Sequence, residues 1–213
     1  MTDSRQAATP QGMFWDQRYG EPGFAFGEAP NAFLASQAPL VVPGSRALVP
    51  GDGEGRNGVW LASQGMHVTT VDASPIGVSK AQRLAASRGV TIDAHCADLA
   101  AWDWPVGTCD LVVSIYLHFP PEVRGWMHAA MVAALAPGGR VLLEAYTPRQ
   151  LAHRARGTVG GPPDPAMLFE PDLLRADFAG TTIERLEEAE VDLAEGSRHV
   201  GRSAVVRLVA RRP

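Results

Sequence analysis

Short apolar, β-branched runs alternate with longer segments of helical character along most of this chain. Such alternation predicts a parallel sheet covered by helices. Arg46–Pro50 is the first strand, bounded by Pro43-Gly44 before it and a glycine cluster after it. A helix over 54–64 follows, with bulk from Val59, Trp60 and Leu61 and a stop at Gly65. The second strand is 67–71. Ser74-Pro75 reads as an N-cap followed by proline at the first helical position, so the next helix runs to about Ser87 and ends at Gly89. Residues 90–94 form a third, short strand, and Cys109–Ile115 is apolar enough for a buried central one. Pro121 opens a helix that ends before Pro137-Gly138-Gly139, and 140–145 is the fifth strand. The proline- and glycine-rich stretch 146–167 reads as a surface excursion. A helix over 170–178 follows it. Two extended segments, 181–193 and 203–211, close the chain as an antiparallel hairpin at the sheet edge.

Length and composition narrow this picture. The 213 residues, 46% of them hydrophobic, suit a single domain with a sizeable core. Residues 1–45 are expected to form an N-terminal lid or helical segment, and 46–213 the core with its hairpin. A formal net charge of −4 gives no general attraction for a phosphate backbone, so a nucleic-acid partner is not expected. Of the 19 basic residues only Lys80 is lysine, and the arginines are scattered. The opening MTDSRQAATP has no signal-peptide character and no apolar run approaches a membrane span. A cytoplasmic, membrane-free protein, monomer or homodimer, is the expectation, with Cys96 and Cys109 reduced.

The strongest local signal is the strand Leu48-Val49-Pro50 running into Gly51-Asp52-Gly53-Glu54-Gly55-Arg56-Asn57-Gly58. Glycines admit positive φ and let a ligand approach the amides of a helix N-terminus. Asp72 stands 21 residues after Gly51 at the end of the second strand, where a carboxylate accepts from a ribose diol. The pair points to an adenosine-containing cofactor. The same glycines satisfy the dinucleotide pattern, so a nicotinamide-dependent dehydrogenase is one alternative. Against it, Asp52 and Glu54 would repel a pyrophosphate and sit better near a sulfonium or ammonium group.

On these residues the sequence resembles the class I S-adenosylmethionine-dependent methyltransferases. The glycine turn matches their first motif, Val71-Asp72-Ala73-Ser74 the ribose-binding strand end, and Ala97-Asp98-Leu99 the adenine-reading segment. Asp110-Leu111-Val112-Val113-Ser114 matches the fourth strand, which ends at Ile115, and Leu135-Ala136-Pro137-Gly138-Gly139-Arg140 the turn into the fifth. Phe14-Trp15-Asp16-Gln17-Arg18-Tyr19-Gly20 and Phe26-Gly27-Glu28-Ala29-Pro30-Asn31 resemble the small tellurite-resistance-type and thiopurine-type members. The resemblance implies an α/β, Rossmann-like seven-stranded sheet of order 3-2-1-4-5-7-6, its last strand antiparallel, with helices on both faces. It implies S-adenosylmethionine as cofactor, S-adenosylhomocysteine as product and a small-molecule acceptor. Cofactor contacts then fall on Trp15, Gly51, Asp52, Gly53, Gly55, Arg56, Asp72, Ala73, Ala97, Asp98, Leu99 and Ile115. The family often has an acidic residue two places before the first glycine of the turn; here Val49 stands there, leaving the methionyl amine to Asp52 or the backbone.

Methyl transfer from a sulfonium is an in-line displacement by an already activated reagent, so soft acceptors such as thiolates or chalcogen oxyanions, expected here from a thiol or similar nucleophile, need no strong base, whereas hydroxyl acceptors usually do. Tyr116 and His118 follow the fourth strand, where open α/β sheets place ligands, and are candidate acceptor-side residues. Arg198, His199 and Arg202 cluster near the hairpin loop and could hold an anionic acceptor. The remaining histidines show no ligand spacing, and no metal is expected. A cofactor-binding protein without catalysis is the other alternative.

Overall fold

The computed structural model describes residues 10–213. It opens with helices α1 (Pro10–Tyr19) and α2 (Ala32–Ser36), then a 3-10 turn at Ala38–Leu40. The core follows as β1 (Arg46–Pro50), α3 (Arg56–Ser63), β2 (His67–Asp72), α4 (Pro75–Ser87), β3 (Asp93–Cys96), β4 (Cys109–Ile115) and α5 (Pro121–Ala134). It is completed by β5 (Leu135–Tyr146), α6 (Gln150–Arg154), a 3-10 turn at Pro165–Met167, α7 (Pro171–Asp177), β6 (Thr182–Glu195) and β7 (His199–Arg211). The seven strands lie in the order β3-β2-β1-β4-β5-β7-β6. Strands β1 to β5 pair in parallel, and β7 runs antiparallel to both β5 and β6.

Alternation along the central strands splits the core between the two faces of the sheet. Leu48, Val112, Val141 and Leu143 pack with Met127 and Met131 of α5, Leu174 of α7 and Phe169 and Phe178. Their neighbours Ala47, Val49, Leu111, Val113 and Leu142 face the other way, onto Phe33 and Leu34 of α2 and Leu61 of α3. Among the described residues no helix is long and apolar enough to cross a membrane.

The hairpin is tighter than expected, with β6 running to Glu195 and β7 starting at His199 and not at 203, and three further elements depart from the sequence expectation. The third strand is shifted to 93–96: Val90 donates its N–H to the Ala85 carbonyl at the end of α4, and Val90 and Ile92 pack on Val59, Leu84 and Ala85 instead of pairing with β2. The fifth begins at Leu135, because Pro137-Gly138-Gly139 forms an irregularity within the strand, where the register shifts between Cys109 and Leu111, and not a break before it. The stretch 146–167 is no plain excursion: it holds α6, and Gln150 is buried with its side chain bonded to Ala204 N–H and the Gly160 carbonyl.

Candidate active site

A cavity of about 100 Å³ opens at the C-terminal ends of the parallel strands. The turn between β1 and α3 forms its floor with Gly51, Asp52, Arg56 and Asn57, and the end of β2 adds Asp72 and Ala73. Leu99, Ile115, Tyr116 and Leu117 make the apolar side, while Gln11, Trp15, Tyr19 and Phe26 come from the N-terminal segment and His199 from the start of β7.

The turn works because of what presses on it. Gly53 has φ +58° and a Cβ there would collide with the Tyr19 hydroxyl, so α1 lies directly on the glycine turn. Gly55, with φ +91°, is the N-cap of α3, and a Cβ would come within 2.5 Å of Ala81 on α4. Both glycines therefore support the turn without lining the cavity. Asp52 turns back to accept the Gly58 N–H at 3.1 Å, and its burial pushes the carboxyl up to about 8. Asp72 accepts one backbone N–H on each oxygen, from Gly53 and Ser74, both at 2.8 Å. Burial raises Asp72 to about 6, against those two bonds. Each of its oxygens keeps a second lone-pair direction, which suits a ribose diol.

Glu54 does not face the cavity. It takes the Ala25 N–H at 2.7 Å and the Lys80 ammonium at 2.8 Å, so Asp52 and Asp72 alone carry the acidic character of the pocket. Arg56 lines the cavity, but its two terminal nitrogens are bonded to Glu195 at 2.8 Å and the Phe26 carbonyl at 3.3 Å. Asp98 accepts the Ala100 N–H at 2.9 Å; it and Ala97 lie beside Leu99, outside the cavity wall. The aromatic N-terminal group divides: Trp15 stacks on Tyr19 with ring centroids 5.5 Å apart and both reach the cavity, Phe24 packs beside Val59 and Leu84, and Phe14 is half-exposed under Arg18.

On the acceptor side the structure engages three of the expected residues elsewhere. His118 is not available as a base. Its Nδ1 lies 2.7 Å from the Met167 carbonyl and its Nε2 accepts the Tyr146 N–H at 3.2 Å, so both nitrogens brace the backbone and burial drops it to about 4. Arg198 does not line the cavity; it pairs with Glu21 at 2.5 Å. Arg202 is likewise spent, on Glu190 and Asp192 of the exposed hairpin. Tyr116 and His199 do line it. Tyr116 holds a left-handed φ of 54° at the end of β4, and its ring stacks on Tyr146 at 4.6 Å. The His199 ring lies between Phe26 at 4.4 Å and Tyr116 at 4.5 Å, with Nδ1 3.2 Å from Glu195. Sequence reasoning missed Gln11, Asn57, Leu117 and Glu195, none of which carries a spacing signal of its own.

A methyltransferase domain model matches residues 47–139, from β1 through the glycine turn, Asp72 and β4 to the turn inside β5. Residues 47–139 carry a methyltransferase domain, and the strand order is that of the S-adenosylmethionine-dependent methyltransferases. This methyltransferase is 28% identical to a thiopurine S-methyltransferase of Pseudomonas entomophila over 200 residues, 84% of this chain and 87% of the relative. Its fold superposes with a TM-score of 0.75 on a structure solved for the conversion of a disulfide bond into a thioacetal group during echinomycin biosynthesis, at 22% identity over 94% of this chain and 92% of that one. TehB from Haemophilus influenzae gives a TM-score of 0.67 at 16% identity, over 95% of this chain and 67% of that one. The residues present fit S-adenosylmethionine: a buried carboxylate with free lone pairs at the ribose position, apolar Leu99 and Ile115 for the adenine, and Asp52 for a cationic end. Neither the dehydrogenase nor the non-catalytic alternative is favoured.

Proposed function

We propose that this methyltransferase transfers the methyl group to the sulfur of a small thiol. The observation that carries this reading is His199, which lines the cofactor cavity with one nitrogen on Glu195 and the other bonded to no described residue. An anionic chalcogen acceptor would need cations, and Arg198 and Arg202 are already paired outside the cavity. The thiopurine S-methyltransferase relative supports the same choice. S-adenosylmethionine supplies the activated methyl group. The chain holds the ribose through Asp72, encloses the reacting centre with Trp15, Phe26 and Tyr116, and offers His199 Nε2 to the thiol proton.

Calorimetry with S-adenosylhomocysteine, followed by mass spectrometry of 2-mercaptoethanol and 6-mercaptopurine incubated with enzyme and S-adenosylmethionine, tests this. Thioether formation on either thiol is expected; binding without any S-methylation would reject the thiol reading. Asp72→Asn removes charge-assisted acceptors worth about 1.5–3 kcal/mol, so product affinity is expected to fall by roughly 10- to 100-fold.

A further inference from the structure

Glu195 ends β6 and sits four residues before His199, across the hairpin turn. One of its oxygens, Oε2, receives both the Arg56 guanidinium at 2.8 Å and His199 Nδ1 at 3.2 Å. All three side chains are largely shielded from water, at 7%, 13% and 8% exposure for Arg56, Glu195 and His199. The pairing joins residues 139 positions apart, the helix after the cofactor turn to the far hairpin. Both Arg56 and His199 line the cofactor cavity.

The direction of the Glu195–His199 bond follows from charge. With Arg56 against it, Glu195 is ionised and can only accept, so His199 carries its proton on Nδ1 and keeps a lone pair on Nε2. An imidazole held in this way is oriented by one face and basic at the other, the arrangement in which a carboxylate fixes a histidine tautomer and stabilises the imidazolium that forms. Around the ring stand Arg56 from α3, Glu144 from β5, Tyr116 after β4, Tyr146 at the end of β5, and His118 beyond them. Burial and Arg56 work against protonating His199, and Glu195 works for it.

We propose that Glu195 is a positioning residue for methyl transfer: it aims His199 Nε2 at the acceptor and stabilises the charge His199 gains when it takes the thiol proton. In this step the S–H proton passes to Nε2 as the sulfur lone pair forms the new carbon–sulfur bond. The bond from the methyl carbon to the sulfonium breaks, and its electron pair leaves on S-adenosylhomocysteine. The inference rests on the thiol reading above.

Two thiols of different acidity separate this role from a structural one. 2-Mercaptoethanol is protonated at neutral pH and needs a base, whereas 4-nitrothiophenol is already ionised there and needs none. Glu195→Gln is expected to lower kcat/KM for 2-mercaptoethanol by about 10- to 100-fold, the usual cost of losing an orienting partner, while 4-nitrothiophenol stays near wild type. The ratio between the two thiols does not depend on the fraction of enzyme folded. Glu195→Asp, which keeps the charge, is expected to move the ratio back toward wild type, and His199→Asn to reproduce the Glu195→Gln selectivity. Equal losses on both thiols in Glu195→Gln, or in His199→Asn if the first variant does not fold, overturn the assignment while leaving the thiol reading intact. If the wild-type enzyme methylates neither of these thiols nor 6-mercaptopurine, the thiol reading itself fails and this role for Glu195 falls with it.

Discussion

Asp52 and Asp72 show how much a single side chain's surroundings decide. Both are buried around one glycine turn and their pKa values rise to about 8 and about 6, so between those values and the ordinary carboxylate range near 4 the folded chain holds protons that the unfolded chain releases. Through these two groups the unfolded state binds fewer protons, whereas His118, held to about 4, binds fewer in the folded state below about 6.5. The stability of the cofactor-free enzyme is therefore expected to fall where Asp52 acts alone, from about 6.5 to about 8. Thermal unfolding at pH 6.8 and pH 8 should show the decline, and Asp52→Asn should flatten it; a melting temperature that climbs over this range in the wild type contradicts it. Ligands with an ammonium group and ribose hydroxyls favour the ionised carboxylates, so S-adenosylhomocysteine is expected to bind more tightly at pH 8 than at pH 6, with proton release measurable in buffers of different ionisation enthalpy. Asp72 could be placed at the strand end beside the glycine turn from the sequence because its signal is a spacing along the chain. His118 could not, since its two backbone partners, Met167 and Tyr146, come from segments far along the sequence.

Elements were legible where their ends are chemically marked. Helix α4 starts where Ser74-Pro75 predicts and runs to Ser87, with Ser74 Oγ accepting the Gly77 N–H at 3.0 Å. That hydroxyl also donates to Asp16 of α1, so the cap holds the N-terminal helix as well as its own. Ser74→Ala is expected to cost about 1 kcal/mol, a fall of roughly 2–4 °C in Tm for a chain of this size, with the loss read by calorimetry. A larger effect on cofactor affinity than on Tm would show that the bond to Asp16 matters more than the cap. Strands β3 and β5 were misplaced at their starts for different reasons: in β5 a Pro-Gly-Gly run that reads as a break is an irregularity inside the strand, and in β3 the misplacement comes from packing. Apolar residues such as Val90 and Ile92 mark burial, and only the packing of α3 and α4 decides that they are buried outside the sheet ladder.

At the scale of the molecule, the segment 20–27 straps the cofactor half of the fold to the hairpin. Lys80 holds one side through the carbonyls of Glu21 and Gly23, at 2.9 and 2.6 Å, and through Glu54. The hairpin turn holds the other: Ser197 and Arg198 donate their N–H groups to the Ala25 carbonyl, and Arg198 pairs with Glu21. Arg198 thus ties the hairpin turn to this segment, away from the cavity. Lys80→Ala leaves Glu54 buried without its counter-ion, at a cost of about 3–5 kcal/mol, and should speed amide exchange across 20–27 and weaken S-adenosylhomocysteine binding together. Unchanged exchange in that segment would refute the strap. The sequence by itself determined the order of the core elements, the sheet topology through the family motifs, and the meeting of Gly51, Asp52, Arg56, Asp72 and Ala73 at one cavity, because those depend on short-range periodicity and on fixed spacings around one turn. Only the tertiary structure decided which hairpin residues reach that cavity. Arg198 and His199 are neighbours at a hairpin, one in the turn and one in the strand, and their opposite fates depend on pairings with Glu21 and with the Arg56–Glu195 pair, made across 177 and 139 residues.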